Sequence, residues 1–148
     1  MAEAMMLRSW LPGLQMGRNL GFTTKFASSE PDTIAPDGSE VRVLCSLRGG
    51  SMALFSIAPG AISKPVAHRT VEEIWCFISG TGRIWRRLGD LEEITEIGPG
   101  ASITLPAGTW FQFRNDGSEP LTAVGATMPP WPGEGEAYPV PGKWAPSE

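Results

Sequence analysis

Residues 60–80 read GAISKPVAHRTVEEIWCFISG. Glycines bound the stretch at Gly60 and Gly80, and inside it lie the only histidine of the chain, His68, and an acid pair, Glu72 and Glu73. In an extended strand side chains alternate between two faces, so Trp75 and Phe77 share the face of Glu73 while Ile74, Cys76 and Ile78 take the other. By the same parity residues 66 and 68 point one way. An imidazole this close to an acid admits three roles: metal ligand, half of an acid–base pair, or an ordinary polar residue at a strand start.

Working outward, strand-like runs recur on both sides. EVRVLCSL (40–47), GSMALFSIA (50–58), EEIWCFIS (72–79), GRIWRRL (82–88), LEEITEI (91–97), ASITLP (101–106), WFQFRN (110–115) and LTAVGATM (121–128) are separated by glycine- and proline-bearing turns. Eighteen glycines and 14 prolines spread along the chain favour many short strands over long helices. The reading is all-β, an antiparallel sandwich or barrel with little helix. MAEAMMLRSWL at the start allows a short helical turn that Pro12 and Gly13 stop. One domain is expected from 148 residues. It divides into an N-terminal arm and loop (1–40), a barrel (41–127) and a tail (128–148). Residues 129–148 hold six prolines together with Trp131, Tyr138 and Trp144, which predicts an extended tail packed on the barrel or on a second subunit.

Composition excludes several functions. A net charge of −4 argues against nucleic acid, which needs clustered basic surface. No apolar run approaches a membrane span, and the acid at Glu3 spoils a signal peptide, so a cytoplasmic protein is expected. Cys45 and Cys76 form no disulfide framework and no metal-type spacing, and their strand-like surroundings predict buried free thiols. Arg83, Arg86 and Arg87 are expected to face Glu92, Glu93 and Glu96 across a hairpin turned at Gly89-Asp90; the alternative, whose parity the sequence leaves open, is that one of them points inward at an anionic substrate.

Two spaced motifs then carry a resemblance. Gly60, five residues, Val66, one residue, His68, four residues, Glu73, six residues and Gly80 make the first. Gly100, five residues, Pro106, Ala107, Gly108, two residues, Phe111, three residues and Asn115 make the second, 19 residues after the first. The chain resembles the cupin superfamily, G-x5-H-x-H-x(3–4)-E-x6-G followed by G-x5-P-x-G-x2-H-x3-N. The resemblance implies a jelly-roll β-barrel, the antiparallel double-stranded β-helix. It also implies a barrel interior in which two histidines, a glutamate and a third histidine hold a divalent metal. Val66 and Phe111 stand at two of those four positions, leaving His68 and Glu73 as the only ligands should iron, manganese, nickel or zinc be present. Three protein ligands are the usual minimum, so the expectation is no metal cofactor.

Without metal, the acid is expected to raise the His68 pKa and orient its ring. Such a pair can transfer protons in isomerisation, epimerisation or elimination beside a carbonyl; it can equally satisfy two buried polar groups. Val66, Trp75, Phe77, Phe111 and Phe113 are the expected walls of an apolar substrate pocket, unless their rings fill the barrel. The leading reading is therefore a metal-independent cupin that binds a small molecule, with His68 and Glu73 as candidate catalytic residues. A non-catalytic binding or sensor cupin and a metal-dependent dioxygenase or isomerase with an incomplete ligand set are the alternatives, and whether the protein is an enzyme stays open. The resemblance also implies a homodimer.

Overall fold

The computed structural model describes residues 21–147. The helical turn expected near the start, and Trp10 within it, lie outside the described residues. Eleven strands follow: β1 (Thr33–Ile34), β2 (Glu40–Leu47), β3 (Gly50–Ile57), β4 (Val66–His68), β5 (Glu72–Ser79), β6 (Gly82–Leu88), β7 (Leu91–Ile97), β8 (Ser102–Leu105), β9 (Trp110–Asn115), β10 (Leu121–Met128) and β11 (Ala137–Pro139). No helix occurs among the described residues. All eight runs read from the sequence are strands, and three short ones join them.

The strands form two antiparallel sheets, β1-β2-β3-β10-β5-β8 and β11-β4-β9-β6-β7. The inner faces meet in one core in which Trp75, Phe77, Phe111, Phe113 and Ile84 are almost wholly buried. Alternation does the sorting: β5 buries Glu73, Trp75 and Phe77 and exposes Glu72, Ile74, Cys76 and Ile78. Gly60, Gly80, Gly100 and Gly108 all have φ between 77° and 90°, a left-handed conformation open to glycine without strain. At Gly80 a Cβ would also stand 2.6 Å from the Pro120 carbonyl oxygen.

The thiols are a correction. Cys76 is exposed on the apolar but uncovered outer face of β5 beside Ile74 and Ile78, and Cys45 is half-buried where the β2–β3 register shifts between Val43 and Ser46. The arginines fall as the hairpin register requires, Arg83, Arg86 and Arg87 opposite Glu96, Glu93 and Glu92. Arg83 bonds Asp116 at 2.8 Å, and Arg86 shares the inward parity of Ile84.

Beyond Pro129 the chain returns across its own barrel. Trp131 joins the core, β11 adds to the edge of β4, and Arg69 lies 4.6 Å from the Tyr138 ring centre. Gln112, with no exposed surface, fastens the end. Its amide donates to the carbonyls of Ser63 and Trp144, both at 2.8 Å, and accepts from the N–H groups of Lys143 and Trp144, both at 3.0 Å. All four bonding positions of the amide are used. Gln112→Leu keeps the bulk but leaves these backbone groups unpaired. Amide exchange at Lys143 and Trp144 should quicken at least about tenfold, with roughly 1–3 kcal/mol lost in urea unfolding. Unchanged exchange at both amides would refute the clamp.

Candidate functional site

β5 and β4 bring Glu73 and His68 together at one end of the core. His68 Nδ1 lies 3.8 Å from Glu73 Oε1, and both side chains are buried. The Trp75 indole N–H donates to Glu73 Oε2 at 2.7 Å. His68 packs edge-on against Phe111 and against Trp131, with ring centres 5.4 and 4.9 Å away.

Two further acids approach the pair. Asp37, buried in the loop before β2, faces the same cavity and accepts from the Ser39 N–H at 2.9 Å and the Ser39 hydroxyl at 2.6 Å. Glu136, in the tail, accepts from Thr70 N–H at 2.7 Å, Thr70 Oγ1 at 2.9 Å and Val71 N–H at 2.6 Å. Neither was among the residues picked from the sequence. Pro36-Asp37-Gly38 signals a turn and nothing of its direction; the Ser39 hydroxyl two residues on is the one local hint of a closed Asx turn. Glu136 carries no pattern at all.

Electrostatics reverse the expectation for the histidine. Burial pushes His68 down to about 4, and Glu136 only partly opposes this. Burial pushes Glu73 up to about 8; the Trp75 hydrogen bond works against the rise, and the charges of Asp37 and Glu136 add to it. Burial also raises Asp37 in spite of its bonds to Ser39. Glu136 is desolvated too, yet the N–H groups of Thr70 and Val71, the Thr70 hydroxyl and His68 hold it low. The sequence reading gave the carboxylate the deciding influence on the imidazole. In the fold Glu73 is itself uncharged near neutral pH, so it offers no negative charge to stabilise an imidazolium. The pair is a carboxylic acid beside a neutral imidazole.

Of the five expected pocket residues, Val66, Trp75 and Phe111 line this cavity, with Asp37 and Trp131 beside them. Phe77 and Phe113 pack deeper, each edge-on to Trp75 at 6.1 and 5.3 Å. The cavity volume is about 20 Å³, the size of one water molecule.

The donor set does not fit a divalent metal. Val66 and Phe111 are direct register partners on β4 and β9 and present only hydrocarbon. One Glu73 oxygen is engaged by Trp75, and Asp37 is turned to Ser39. Among the described residues no three His, Cys, Asp or Glu side chains gather as a metal would require.

Comparison with known proteins agrees with this architecture. The family model described as Cupin domain matches residues 53–126. No curated protein matches the sequence. Among solved structures, a Bacillus halodurans protein is 27% identical at a TM-score of 0.56, the match covering 61% of this chain and 70% of that one. A Klebsiella pneumoniae protein with a double-stranded β-helix domain is 16% identical at 0.58, covering 84% and 93%. Oxalate decarboxylase from Bacillus subtilis is 17% identical at 0.65, covering 81% of this chain but 33% of the larger enzyme. The last two likenesses are of fold alone.

Glu73 makes stability depend on pH with a definite sign. Its carboxyl stays protonated in the fold while the unfolded chain ionises near 4.5, so between about 4.5 and 8 the native state binds more protons and stability falls as pH rises. Glu73→Gln removes this contribution. The stability of wild type minus that of the variant should fall by about 1.4 kcal/mol per pH unit across that window and level off above it. Urea unfolding from pH 4 to pH 9 checks this; a difference that rises with pH would mean that Glu73 is ionised in the fold.

Proposed function

The chain belongs to the cupin family, and we propose that it is a metal-independent member that binds a small carbonyl compound and moves a proton on it. One observation carries the reading: Glu73 and His68 lie 3.8 Å apart on one cavity, with environments that drive their pKa values to opposite sides of neutrality. A proton carrier works best when its pKa is near the working pH, and Glu73 meets that condition. Glu73 delivers its proton to the carbonyl oxygen as the adjacent C–H bond breaks, and unprotonated His68 receives the hydrogen from carbon. Return of that proton from His68 to the neighbouring carbon of the enediol, with Glu73 reclaiming a proton from the hydroxyl there, gives isomerisation with no net proton gained or lost. Substrate enters by displacing the Trp131 ring, since a water-sized cavity leaves no other room.

Solvent deuterium exchange tests the proposal. In D₂O with a chelator present, proton NMR on a panel of neutral ketones, aldehydes and ketoses should show loss of the C–H signal beside the carbonyl in at least one compound. Glu73→Gln and His68→Ala should each slow that loss by about 100-fold or more. The rate should decline above pH 8 as Glu73 ionises and below pH 4 as His68 protonates. Exchange that needs added metal, or none across the panel, would sink the reading in favour of a metal-dependent or a purely binding cupin.

We infer further that the protein is a homodimer, paired through the outer face of β3, β10 and β5. Met52, Ala126 and Ile74 form one cross-strand row there, and Leu54, Val124 and Cys76 the next. Met52, Ile74 and Ile78 stand 42, 47 and 51% exposed, an apolar surface suited to a twofold mate. Sedimentation at micromolar concentration should give a dimer that Ile74→Glu converts to monomer. A monomeric wild type would refute it.

A further inference from the structure

Asp37 lines the inner cavity, yet the proton transfer proposed above makes no use of it. Its turn has little freedom. The Ala35 N–H donates to the Ser39 carbonyl at 2.8 Å and the Gly38 N–H to the Ala35 carbonyl at 2.9 Å, which closes the loop. The Lys64 N–H donates to the Asp37 carbonyl at 2.7 Å and ties the turn to the segment before β4. Within the turn the Ser39 N–H and hydroxyl both bond Asp37 Oδ1. The side chain is thus held through its backbone and through one of its oxygens, the preorganisation that a recognition group needs.

The other oxygen, Oδ2, bonds no other described residue. Asp37 is only 5% exposed, but Oδ2 is not among the side-chain atoms sealed off without a partner, so its open side is the cavity that the residue lines. Glu73 Oε1 and the ring nitrogens of His68 are placed alike: none makes a hydrogen bond, the two residues approach only to 3.8 Å, and none is sealed off. Buried polar groups are seldom left without partners, so three such side chains turned to one small space point to a polar occupant. One carbonyl does not satisfy all three. Glu73 serves the carbonyl oxygen and His68 the C–H bond, which leaves Asp37 for a second oxygen. Because the three share a cavity of about 20 Å³, that oxygen belongs on the next carbon.

We propose that Asp37 is a specificity-determining residue that bonds a hydroxyl on the carbon beside the carbonyl, making the substrates neutral α-hydroxy ketones or aldehydes. The inference rests on the proton-transfer reading above, whose enediol carries an oxygen on each of two neighbouring carbons. A hydroxyl both donates and accepts, so it suits Asp37 with or without its proton. A carboxylate in that place can only accept, and it meets the ionised Glu136, whose charge reaches both His68 and Glu73.

Hydroxyacetone and 2-butanone are suitable probes, since they differ only by a methyl group in place of the hydroxyl. Full-length protein labelled with ¹³C at its aspartate carboxyls is titrated with each, the Asp37 signal being the one that Asp37→Asn removes. Hydroxyacetone should shift that signal and saturate with a dissociation constant on the order of millimolar. Butanone, the more apolar, should bind at least about fivefold more weakly and leave the signal in place. Asp37→Ala should bring the two ketones within about twofold of each other. Asp37→Asn, which keeps an acceptor for Ser39 and a polar atom toward the cavity, should retain the preference. Where Asp37→Ala does not give a native spectrum, wild type and Asp37→Asn decide. No saturable binding of hydroxyacetone, equal affinities in wild type, or an unmoved Asp37 signal at saturation would overturn the assignment. So would a preference that survives Asp37→Ala or is lost in a native Asp37→Asn. Failure of the proton transfer looks different. Deuterium exchange in butanone as fast as in hydroxyacetone leaves the transfer standing and removes the role of Asp37. Preferential binding of hydroxyacetone without any exchange keeps Asp37 as a recognition residue in a purely binding cupin.

Discussion

The Trp75 side chain is the constraint on which the rest is built. Its ring stacks on Phe55 at 5.0 Å and meets Phe77, Phe111 and Phe113 edge-on, joining strands from both sheets. Its only polar atom donates to Glu73. A buried indole N–H needs an acceptor, and a carboxyl in hydrocarbon needs a donor, so each makes the burial of the other tolerable. Gly125 on β10 completes the arrangement: a Cβ there would stand 2.5 Å from Phe55 and 3.0 Å from Trp75. Aromatic packing between the two sheets and the raised pKa of the acid therefore have one origin. The rings that exclude water from the core also deny Glu73 the solvation an anion needs.

How far these features can be read from sequence depends on whether they are local. Gly60, Gly80, Gly100 and Gly108 are legible because left-handed turns select glycine whatever surrounds them. The inward set Glu73, Trp75 and Phe77 is legible because strand parity is a backbone property. Asp37, Trp131 and Glu136 reach the site by tertiary return of a loop and a tail, and no periodicity records that. The direction of the His68 shift was hidden for a related reason. Spacing places an acid near the imidazole, but only the fold reveals that the acid is too deeply buried to be charged. Cys76 misleads in the opposite sense, since an apolar strand face says nothing about whether a second surface covers it.

The tail illustrates how polar groups can close a hydrophobic site. Proline-rich and without helix, it gains little from its own backbone bonding, and side chains of the barrel supply the partners instead. Gln112 binds residues 143 and 144, and Arg69 donates to the Gly135 carbonyl at 2.8 Å. From the tail's side, Glu136 caps the N–H groups of Thr70 and Val71. Trp131 lies upstream of these fastenings, between Met128 at the end of β10 and Gly135; its own N–H donates to the Ser51 hydroxyl at 3.2 Å, and its ring is set over His68. The proposed displacement of that ring leaves the other tail contacts with the site, Ala137 on the cavity and Glu136 near His68, in place.

Charge is managed by different means inside the barrel and on the hairpin of β6 and β7. Inside the barrel burial suppresses it, keeping Glu73 protonated and His68 neutral. On the hairpin pairing cancels it, with Glu93 held ionised first by its Thr95 hydrogen bond and then by Arg86. The inner cavity consequently offers hydrogen-bonding side chains, His68 and Glu73, set among hydrocarbon walls. Such a surface discriminates by the position of an acceptor oxygen more than by ionic attraction, because an anion would lose its hydration without meeting an unpaired cation. On the proposed reading, the inner cavity therefore selects a neutral, carbonyl-bearing molecule for proton chemistry.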